Sequence, residues 1–257
     1  MQNFAKNLKD KLRGSKRGGV YDLITFDSLS STNDYLKEKA GELKDFSVVV
    51  AERQSAGKGR LGRKFCSLDG GVYMSILVRP RPDFLTKITP MTAVAVQEAI
   101  ALTFGKTPKI KWVNDLYFGN KKVSGILCES SICNDKTDYV IVGIGVNVYE
   151  PKGGFPDEIK DIAGAITTPK EGVREELIVN ILDCFYDYFT GKEFLESYRK
   201  NSYLCGKNLE IRIGNEEIKG KFVEIDEEFR LVVNTPKGER RFSSGEVMKV
   251  VSDEKNC

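Results

Sequence analysis

The segment RQSAGKGRLGRK, residues 53–64, contains five cations, three glycines and no acid. Glycine lets a backbone approach a ligand and present its N–H groups, while lysine and arginine supply the charge that an anion requires. The segment therefore predicts a loop that folds over a phosphate-bearing ligand, although a solvated basic loop fits the same composition. It is not a Walker loop, because neither Ser nor Thr follows Lys58. It also matches G-x-G-x-x-G, but no helix pattern follows, so a dinucleotide fingerprint is not indicated.

Lys111, in KIKWVNDLYF (109–118), is the second residue whose type and place favour chemistry. It precedes an apolar Trp-Val pair at the predicted end of a strand, where a fixed charge can stabilise a reacting phosphate. An exposed strand-edge lysine fits the same spacing slightly better. The chain contains no histidine, which excludes Ser-His and Cys-His nucleophiles. Any chemistry must therefore use Lys, Arg, carboxylates or backbone amides.

The cysteines do not indicate a metal site. All six are scattered without a C-x-x-C pair, and histidine is absent as a further ligand. Free thiols are the expected state of Cys66, Cys128, Cys133, Cys184, Cys205 and Cys257. No metal site formed by the protein is therefore expected.

The sequence indicates a cytoplasmic chain with an uneven charge. It has no run of about 18 apolar residues and no apolar leader, so neither a membrane span nor a secretory signal is expected. The net charge is +3, but residues 1–20 hold six cations against Asp10 alone, and the rest of the chain is then −2. A nucleic-acid-binding body is therefore not expected. The basic arm is predicted to be a solvated leader helix, although polyanion binding fits the same charge.

Apolar periodicity predicts a domain in which helices and strands are mixed. Ser31 or Thr32 can cap a helix, Pro90 is expected at the first position of a buried helix over 91–104, and residues 174–189 have amphipathic spacing. Strands are predicted at 20–26, 46–52, 72–80, 109–113, 123–130 and 138–148.

Near residue 205 the pattern changes to short strands separated by turn signals. Five short strands within about 45 residues indicate a small barrel. We therefore predict a basic arm at 1–20, a catalytic domain at 21–204 and a small C-terminal β-barrel domain at 205–257.

Six motifs together give the chain a specific resemblance. They are STN (31–33), AERQSAGKGRLGRKF (51–65), KWVNDLY (111–117), KKVSGILCE (121–129), VGIGVNV (142–148) and RRFSSGEV (240–247). In this order and spacing they resemble the biotin–protein ligases. The resemblance implies an α+β fold, in which a class II synthetase-like catalytic domain, a mixed central β-sheet packed with helices, precedes a small SH3-like β-barrel.

The resemblance also implies a reaction in two steps. Biotin and ATP, with Mg²⁺ as a cosubstrate, give biotinyl-5′-AMP and pyrophosphate, and biotin then passes to a lysine of a biotin carboxyl carrier domain such as that of acetyl-CoA carboxylase. A homodimer is a further expectation. Some family members carry an N-terminal DNA-binding repressor domain, for which residues 1–20 are too short. Neither repressor function nor a nucleic-acid partner is therefore expected.

Site residues follow from the motif positions. Lys111 is implied as the catalytic lysine at the biotin carboxyl group and the α-phosphate, and Arg63 as a catalytic residue at pyrophosphate. The implied biotin-binding residues are Ser31, Thr32, Asn33, Gln54, Gly57, Lys58, Gly59, Arg60, Lys111 and Gly125. The implied ATP-binding residues are Lys58, Arg60, Arg63, Lys111, Asn114 and Asn147. Mg²⁺ is expected to be held by phosphate oxygens and water.

Three positions depart from the family pattern. Lys58 stands where arginine is usual, Val113 where proline is usual, and Phe65 where tryptophan is common. Lysine keeps the charge but loses the planar fork, so weaker retention of the intermediate is expected. The weaker candidates from the C-terminal domain are Arg240, Arg241 and Glu246.

Three other functions remain open at this point. A lipoate–protein ligase or octanoyl transferase shares the fold, but the cationic glycine-rich loop and the SSGEV segment favour biotin. A nucleic-acid-binding regulator would use the basic arm. A non-catalytic binder would account for Lys58 and Val113.

Overall fold

The computed structural model describes residues 2–133 and 136–251. The last six positions of the predicted C-terminal domain, which include Cys257, lie outside the described residues. Met1 of the basic arm lies outside them as well. The larger of its two sheets has seven strands in the order β1-β2-β3-β7-β6-β5-β4. These strands are β1 (Asp22–Leu29), β2 (Ser47–Gln54), β3 (Gly71–Val78), β4 (Lys109–Lys111), β5 (Asp115–Phe118), β6 (Lys121–Cys133) and β7 (Lys136–Asn147). β1 and β2 pair in parallel and the other neighbours are antiparallel, which confirms the predicted mixed central sheet.

Five α-helices are described around this sheet. They are α1 (Gln2–Arg13), α2 (Thr32–Lys39), α3 (Ile88–Phe104), α4 (Val173–Phe189) and α5 (Leu195–Lys200). None of the described helices is long and apolar enough to cross a membrane. The prediction for the start of α3 was wrong, because the helix begins at Ile88 and Pro90 is its third residue. Proline is tolerated there because the N–H groups of a first helical turn have no intrahelical acceptor.

Helices cover both faces of the central sheet. Val48 and Val50 of β2 belong to a core shared with α3 and α4, whereas Val49 packs with Leu36 of α2 on the opposite face. Successive residues of a strand point to opposite sides, so a β-branched run such as 48–50 can fill two cores at once. Helix α2, which Ser31 caps, therefore packs on one face of the sheet, over β2, β3 and β7.

Helix α1 packs against α4 and is not simply solvated. Leu8 and Leu12 are only 0% and 4% exposed. Apolar residues four positions apart lie on one helix face, and that face is buried while Lys6 and Lys9 are exposed. The predicted solvated leader helix was therefore wrong for one of its two faces. Beyond α1, the guanidinium of Arg17 donates to Asp187 of α4 at 2.7 Å.

The second sheet is antiparallel, with the strand order β11-β10-β9-β8-β12. Its strands are β8 (Asn208–Ile213), β9 (Glu216–Ile225), β10 (Leu231–Thr235), β11 (Gly238–Phe242) and β12 (Glu246–Val251). Within residues 2–133 and 136–251 no pairing of β11 with β12 closes this sheet, so the SH3-like barrel stays a prediction. The sheet is joined to the larger unit where Trp112 Nε1 donates to the carbonyl of Phe229 at 2.9 Å.

Candidate functional site

A cavity of about 430 Å³ lies where the loop after β2, the β4–β5 turn and the start of β12 meet the central sheet. Its lining includes twelve of the thirteen residues that the motifs indicated, and these are Ser31, Thr32, Asn33, Gln54, Lys58, Gly59, Arg60, Arg63, Lys111, Asn114, Gly125 and Asn147. Residues spread over more than 100 positions of the sequence therefore share one space. Their roles toward a ligand stay predictions.

Gly57 is the indicated residue that does not line the cavity. A Cβ at this position would lie 2.5 Å from both the carbonyl oxygen of Phe65 and Ser67 Oγ. The backbone N–H of Phe65 donates to the carbonyl of Gly57 at 2.9 Å, which closes the base of the loop. Glycine is therefore required here because two parts of the chain approach closely.

The inner end of the cavity is a network of buried polar side chains. Ser31 caps α2, since its Oγ accepts from the backbone N–H of Asp34 at 3.3 Å. Gln54 Oε1 accepts from the backbone N–H of Thr32 at 2.8 Å, and Gln54 Nε2 donates to Ser67 Oγ at 2.8 Å. Asn33 Nδ2 donates to Glu129 at 2.7 Å. The STN motif and Gln54 are thus held together by the start of α2 and the end of β2.

The cationic loop is folded across the mouth of the cavity. Gly59 N–H donates to the carbonyl of Arg63 at 2.7 Å, and a single 3₁₀ turn spans Arg60–Gly62. Leu61 at its tip is 75% exposed and has a φ of 56°, in the left-handed region. Lys58 before this turn and Arg63 after it both line the cavity.

Three loop cations contact three different elements. Lys58 pairs with Asp34 of α2, and this hydrogen bond raises the pKa of the lysine. Arg60 donates to Asn114 Oδ1 at 3.0 Å, in the turn between β4 and β5. The remaining contact is between Arg63 and Glu246 of β12, at 2.6 Å, and the hydrogen bond from Arg63 lowers the pKa of Glu246.

Lys111 differs from the loop cations in its surroundings. Burial lowers the pKa of its ammonium group, while the nearby carboxylate of Asp115 opposes that shift. Its Nζ lies 5.5 Å from the centre of the Tyr117 ring, and no carboxylate among the described residues forms an ion pair with it. Asp115 instead pairs with Lys122 at 2.7 Å. A partly desolvated ammonium without a committed carboxylate is suited to receive an anionic ligand.

Asn114 is fixed independently of Val113, the residue that replaces the usual proline. Its Nδ2 donates to the carbonyl of Ile126 at 2.9 Å, and Ile126 N–H donates back to the carbonyl of Asn114 at 2.9 Å. The turn after Lys111 is therefore tied to β6 by two hydrogen bonds.

Phe65 occupies space that two glycines leave open. A Cβ on Gly145 would lie 2.5 Å from the ring of Phe65, and one on Gly125 would lie 3.3 Å from it. The ring lies edge-on to Tyr73, with 6.3 Å between the centroids. Glycine at 125 thus leaves room for the side chains of both Lys122 and Phe65, and its predicted contact with biotin is untested.

Several lining residues were not indicated by the motifs, although most lie beside one. Asp115, Tyr117 and Lys122 fall within or next to quoted segments, and their acidic, aromatic and basic types were a usable signal. A further wall comes from the loop 155–163, which gave no signal. Among the C-terminal candidates, Glu246 lines the cavity, whereas Arg240 pairs with Glu216, and Arg241 with Glu239.

Metal ligands are not grouped in the part of the chain that the structure describes. Over residues 2–133 and 136–251, no set of three or more Cys, Asp or Glu side chains is arranged to hold an ion. Cys66, Cys128, Cys184 and Cys205 are free thiols.

Buried polar side chains and several cations share one cavity beside a mixed sheet, and this arrangement suits a ligand that carries both polar and anionic groups. The model of the biotin/lipoate A/B protein ligase family matches residues 25–147, and that of the biotin protein ligase C-terminal domain matches residues 204–250. The chain belongs to this family, among its biotin–protein ligases.

Relatives and solved structures agree with that assignment. The bifunctional ligase/repressor BirA of Bacillus subtilis is 36% identical over 242 residues, covering 88% of this chain and 73% of the relative. The biotin–[acetyl-CoA-carboxylase] ligase of Paracoccus denitrificans is 30% identical, covering 84% of this chain and 96% of the relative. The biotin protein ligase of Aquifex aeolicus in complex with biotin and ATP is 30% identical with a TM-score of 0.77, covering 90% of this chain and 99% of that one.

Proposed function

We propose that this chain is an ATP-dependent, AMP-forming biotin–protein ligase. It joins the carboxylate of biotin to the α-phosphate of ATP, releasing pyrophosphate, and then passes the biotinyl group to a lysine of a carrier domain such as that of acetyl-CoA carboxylase. The observation that carries the proposal is that the polar network, the cationic loop and Lys111 open into one cavity. Each of these three features suits one part of biotin or ATP.

The polar network suits the ureido ring of biotin. A ureido group presents two N–H donors and a carbonyl acceptor, and each must find a partner when it is buried. The inner end of the cavity offers hydroxyl and amide groups of Ser31, Thr32, Asn33 and Gln54. The cavity lining also includes apolar side chains such as Phe65, Ile126 and Ile144, which suit the thiophane ring and the valeryl chain.

The cations suit the charge that develops during adenylation. Attack of a carboxylate on the α-phosphate brings two anions together, so fixed positive charge lowers the barrier. Lys111 is assigned to the biotin carboxylate and the α-phosphate. Arg63 is assigned to the leaving pyrophosphate. Because no side-chain nucleophile is needed, the absence of histidine is compatible with this chemistry.

The assigned nucleotide contacts complete the site. Arg60, Asn114 and Asn147 are assigned to the nucleotide, and Lys58 to the ligand beneath the loop. Mg²⁺ enters with ATP, and oxygen ligands from the phosphates and water fit it. The barrel form of the C-terminal domain, its role toward the carrier, a cytoplasmic location and a homodimer belong to the same proposal.

Biotin-dependent pyrophosphate release from ATP tests the proposal. Release with biotin, followed by labelling of a carrier domain, is the expected result. Release with lipoate or octanoate in place of biotin would assign the chain to the sister activity. If none of the three acids supports pyrophosphate release, the chain would be assigned as a non-catalytic binding protein. Replacing the exposed arm cations Lys6 and Lys9 with glutamine, which leaves the buried Leu8 and Leu12 in place, should not change retention on DNA, because the proposal gives the arm no DNA-binding role.

A further inference from the structure

Four oxygen atoms form a chain at the inner end of the cavity. In order they are Asn33 Oδ1, Ser75 Oγ, Thr32 Oγ1 and Gln54 Oε1, and successive pairs lie 2.6, 2.7 and 3.0 Å apart. All three separations are in the range of a hydrogen bond. Three protons are therefore needed to fill the three contacts.

Both ends of this chain are fixed as acceptors. Gln54 Oε1 faces the backbone N–H of Thr32 at 2.8 Å, and a backbone N–H can only donate. The amide of Asn33 is oriented by Glu129, because its Nδ2 lies 2.7 Å from a carboxylate oxygen that, when ionised, can only accept. The two end atoms are thus amide oxygens without protons.

The network is therefore one proton short. Ser75 and Thr32 each supply one hydroxyl proton, and three contacts need to be filled. If the Ser75 proton goes to Asn33 Oδ1, Thr32 must donate to Ser75. No proton is then left between Thr32 Oγ1 and Gln54 Oε1, which is also the longest of the three separations at 3.0 Å.

The shortage cannot be relieved at the protein side of the network. Ser75 is 0% exposed, so water does not reach the centre of the chain. Asn33 lies against Gly143, where a Cβ would overlap its amide, so the asparagine is closely surrounded. Thr32 and Gln54 line the cavity. The unfilled contact is thus the one that faces the ligand.

We infer that Glu129 is a positioning residue which, acting through Asn33 and Ser75, presents Thr32 Oγ1 and Gln54 Oε1 as acceptors to an N–H donor of the ligand. The inference rests on the proposed function, in which that donor is an N–H of the biotin ureido ring. The inference deepens the proposed function by naming a source of specificity for biotin over lipoate, since the ring of lipoate has no N–H group. Glu129 itself acts at a distance, because it is not among the residues that line the cavity.

Glu129→Gln is the decisive variant. A neutral amide of the same size can donate to Asn33 Oδ1, so the asparagine amide can turn and donate to Ser75. Ser75 then donates to Thr32, and Thr32 to Gln54, which fills all three contacts without a ligand. The variant should melt no lower than the wild-type chain. Its KM for biotin should rise about tenfold, because the acceptors are already satisfied, with kcat and the KM for ATP nearly unchanged.

A matched control and a modified ligand separate this role from a structural one. Glu158→Gln makes the same charge change at an exposed residue beside the cavity wall and should behave as wild type. Two biotin analogues in which one or the other ureido N–H is replaced by oxygen should be discriminated against about tenfold or more by the wild-type chain. Glu129→Gln should reduce that discrimination for one of the two.

The outcomes distinguish this inference from the proposed function. A wild-type chain that releases no pyrophosphate with biotin would overturn the proposed function, and the inference with it. An active wild type whose biotin KM and analogue discrimination survive in Glu129→Gln would overturn the inference alone. A variant that melts lower and loses kcat would show a structural role for Glu129, which also overturns it.

Discussion

Replacing Lys111 with methionine should remove most of the adenylation rate. The loop cations Lys58 and Arg63 are paired with carboxylates, whereas Lys111 contacts an aromatic ring. It can therefore meet a developing negative charge without first breaking an ion pair. A unit charge about 4 Å away at an effective dielectric of about 20 contributes roughly 4 kcal/mol. The loss of one preorganised donor costs a similar amount, so kcat should fall by about 10²–10³.

The assay must report the chemical step itself. Single-turnover formation of the adenylate, followed by pyrophosphate release, avoids a limit set by product release. Lys109→Met is the matched control, since Lys109 lies on the same strand but is exposed and donates to the carbonyl of Lys200 at 3.3 Å. It should retain the wild-type rate within about twofold, as a surface substitution does. A fall of less than about fivefold in Lys111→Met would refute the charge-stabilising role.

Stability and pH give two further checks on the same residue. Because burial lowers the pKa of Lys111, the folded chain disfavours its charged form, and Lys111→Met should unfold at no lower temperature than wild type. The ammonium is the active form, so kcat/KM should fall as pH rises through this lowered pKa, earlier than for a lysine of ordinary pKa of about 10.4. Lys111→Arg keeps its charge at high pH, so any residual activity should lack this fall. An identical alkaline limb in Lys111→Arg would assign the titration to another group.

Two other predictions concern the loop and the basic arm. Arg63→Ala should raise the KM for ATP about tenfold and leave the KM for biotin nearly unchanged, because one charge-assisted contact to pyrophosphate is lost. Initial rates with each substrate varied in turn measure the two KM values. Equal changes in the KM for ATP and the KM for biotin would contradict this prediction. Leu8→Ala should lower the free energy of unfolding by ~2–5 kcal/mol, since Leu8 is 0% exposed between α1 and the main core. Urea denaturation measures this, and a loss below about 1 kcal/mol would mean that α1 is only loosely attached.

Local signals predicted the elements that have a local cause. Ser31 caps α2 as expected, and α3, apolar on all sides, is buried. Such features depend on residues within a few positions of each other, so the sequence alone reveals them.

Packing between distant segments was harder to predict. The prediction for the basic arm used its charge alone. It did not use the apolar spacing of Leu8 and Leu12, which fixes the arm to α4. Turn signals in the C-terminal region predicted five strands, but whether a sheet closes depends on how its two edge strands meet, and no local signal records that.

The same limit applies to the site. The motifs identified the groups that line the cavity, because those groups occur as recognisable sequence segments. They did not identify Ser75 or the role of Glu129, which join Asn33 only after β3, β6 and β7 have paired. Positioning residues lie behind the cavity lining, and their residue types do not stand out in the sequence. Their role can be inferred only from the direction of the hydrogen bonds that they form.

The carboxylate partners of the loop cations fit the proposed assignment of these cations to a nucleotide. Lys58 and Arg63 are held by Asp34 and Glu246, and the two cations are 39% and 58% exposed in their side chains. Exposed ion pairs of this kind contribute only about 0–1 kcal/mol each, so separating them costs little. A nucleotide can therefore draw these cations from carboxylates to phosphates at little cost. Lysine at 58 fits such an exchange, because its single ammonium has no bidentate geometry to give up.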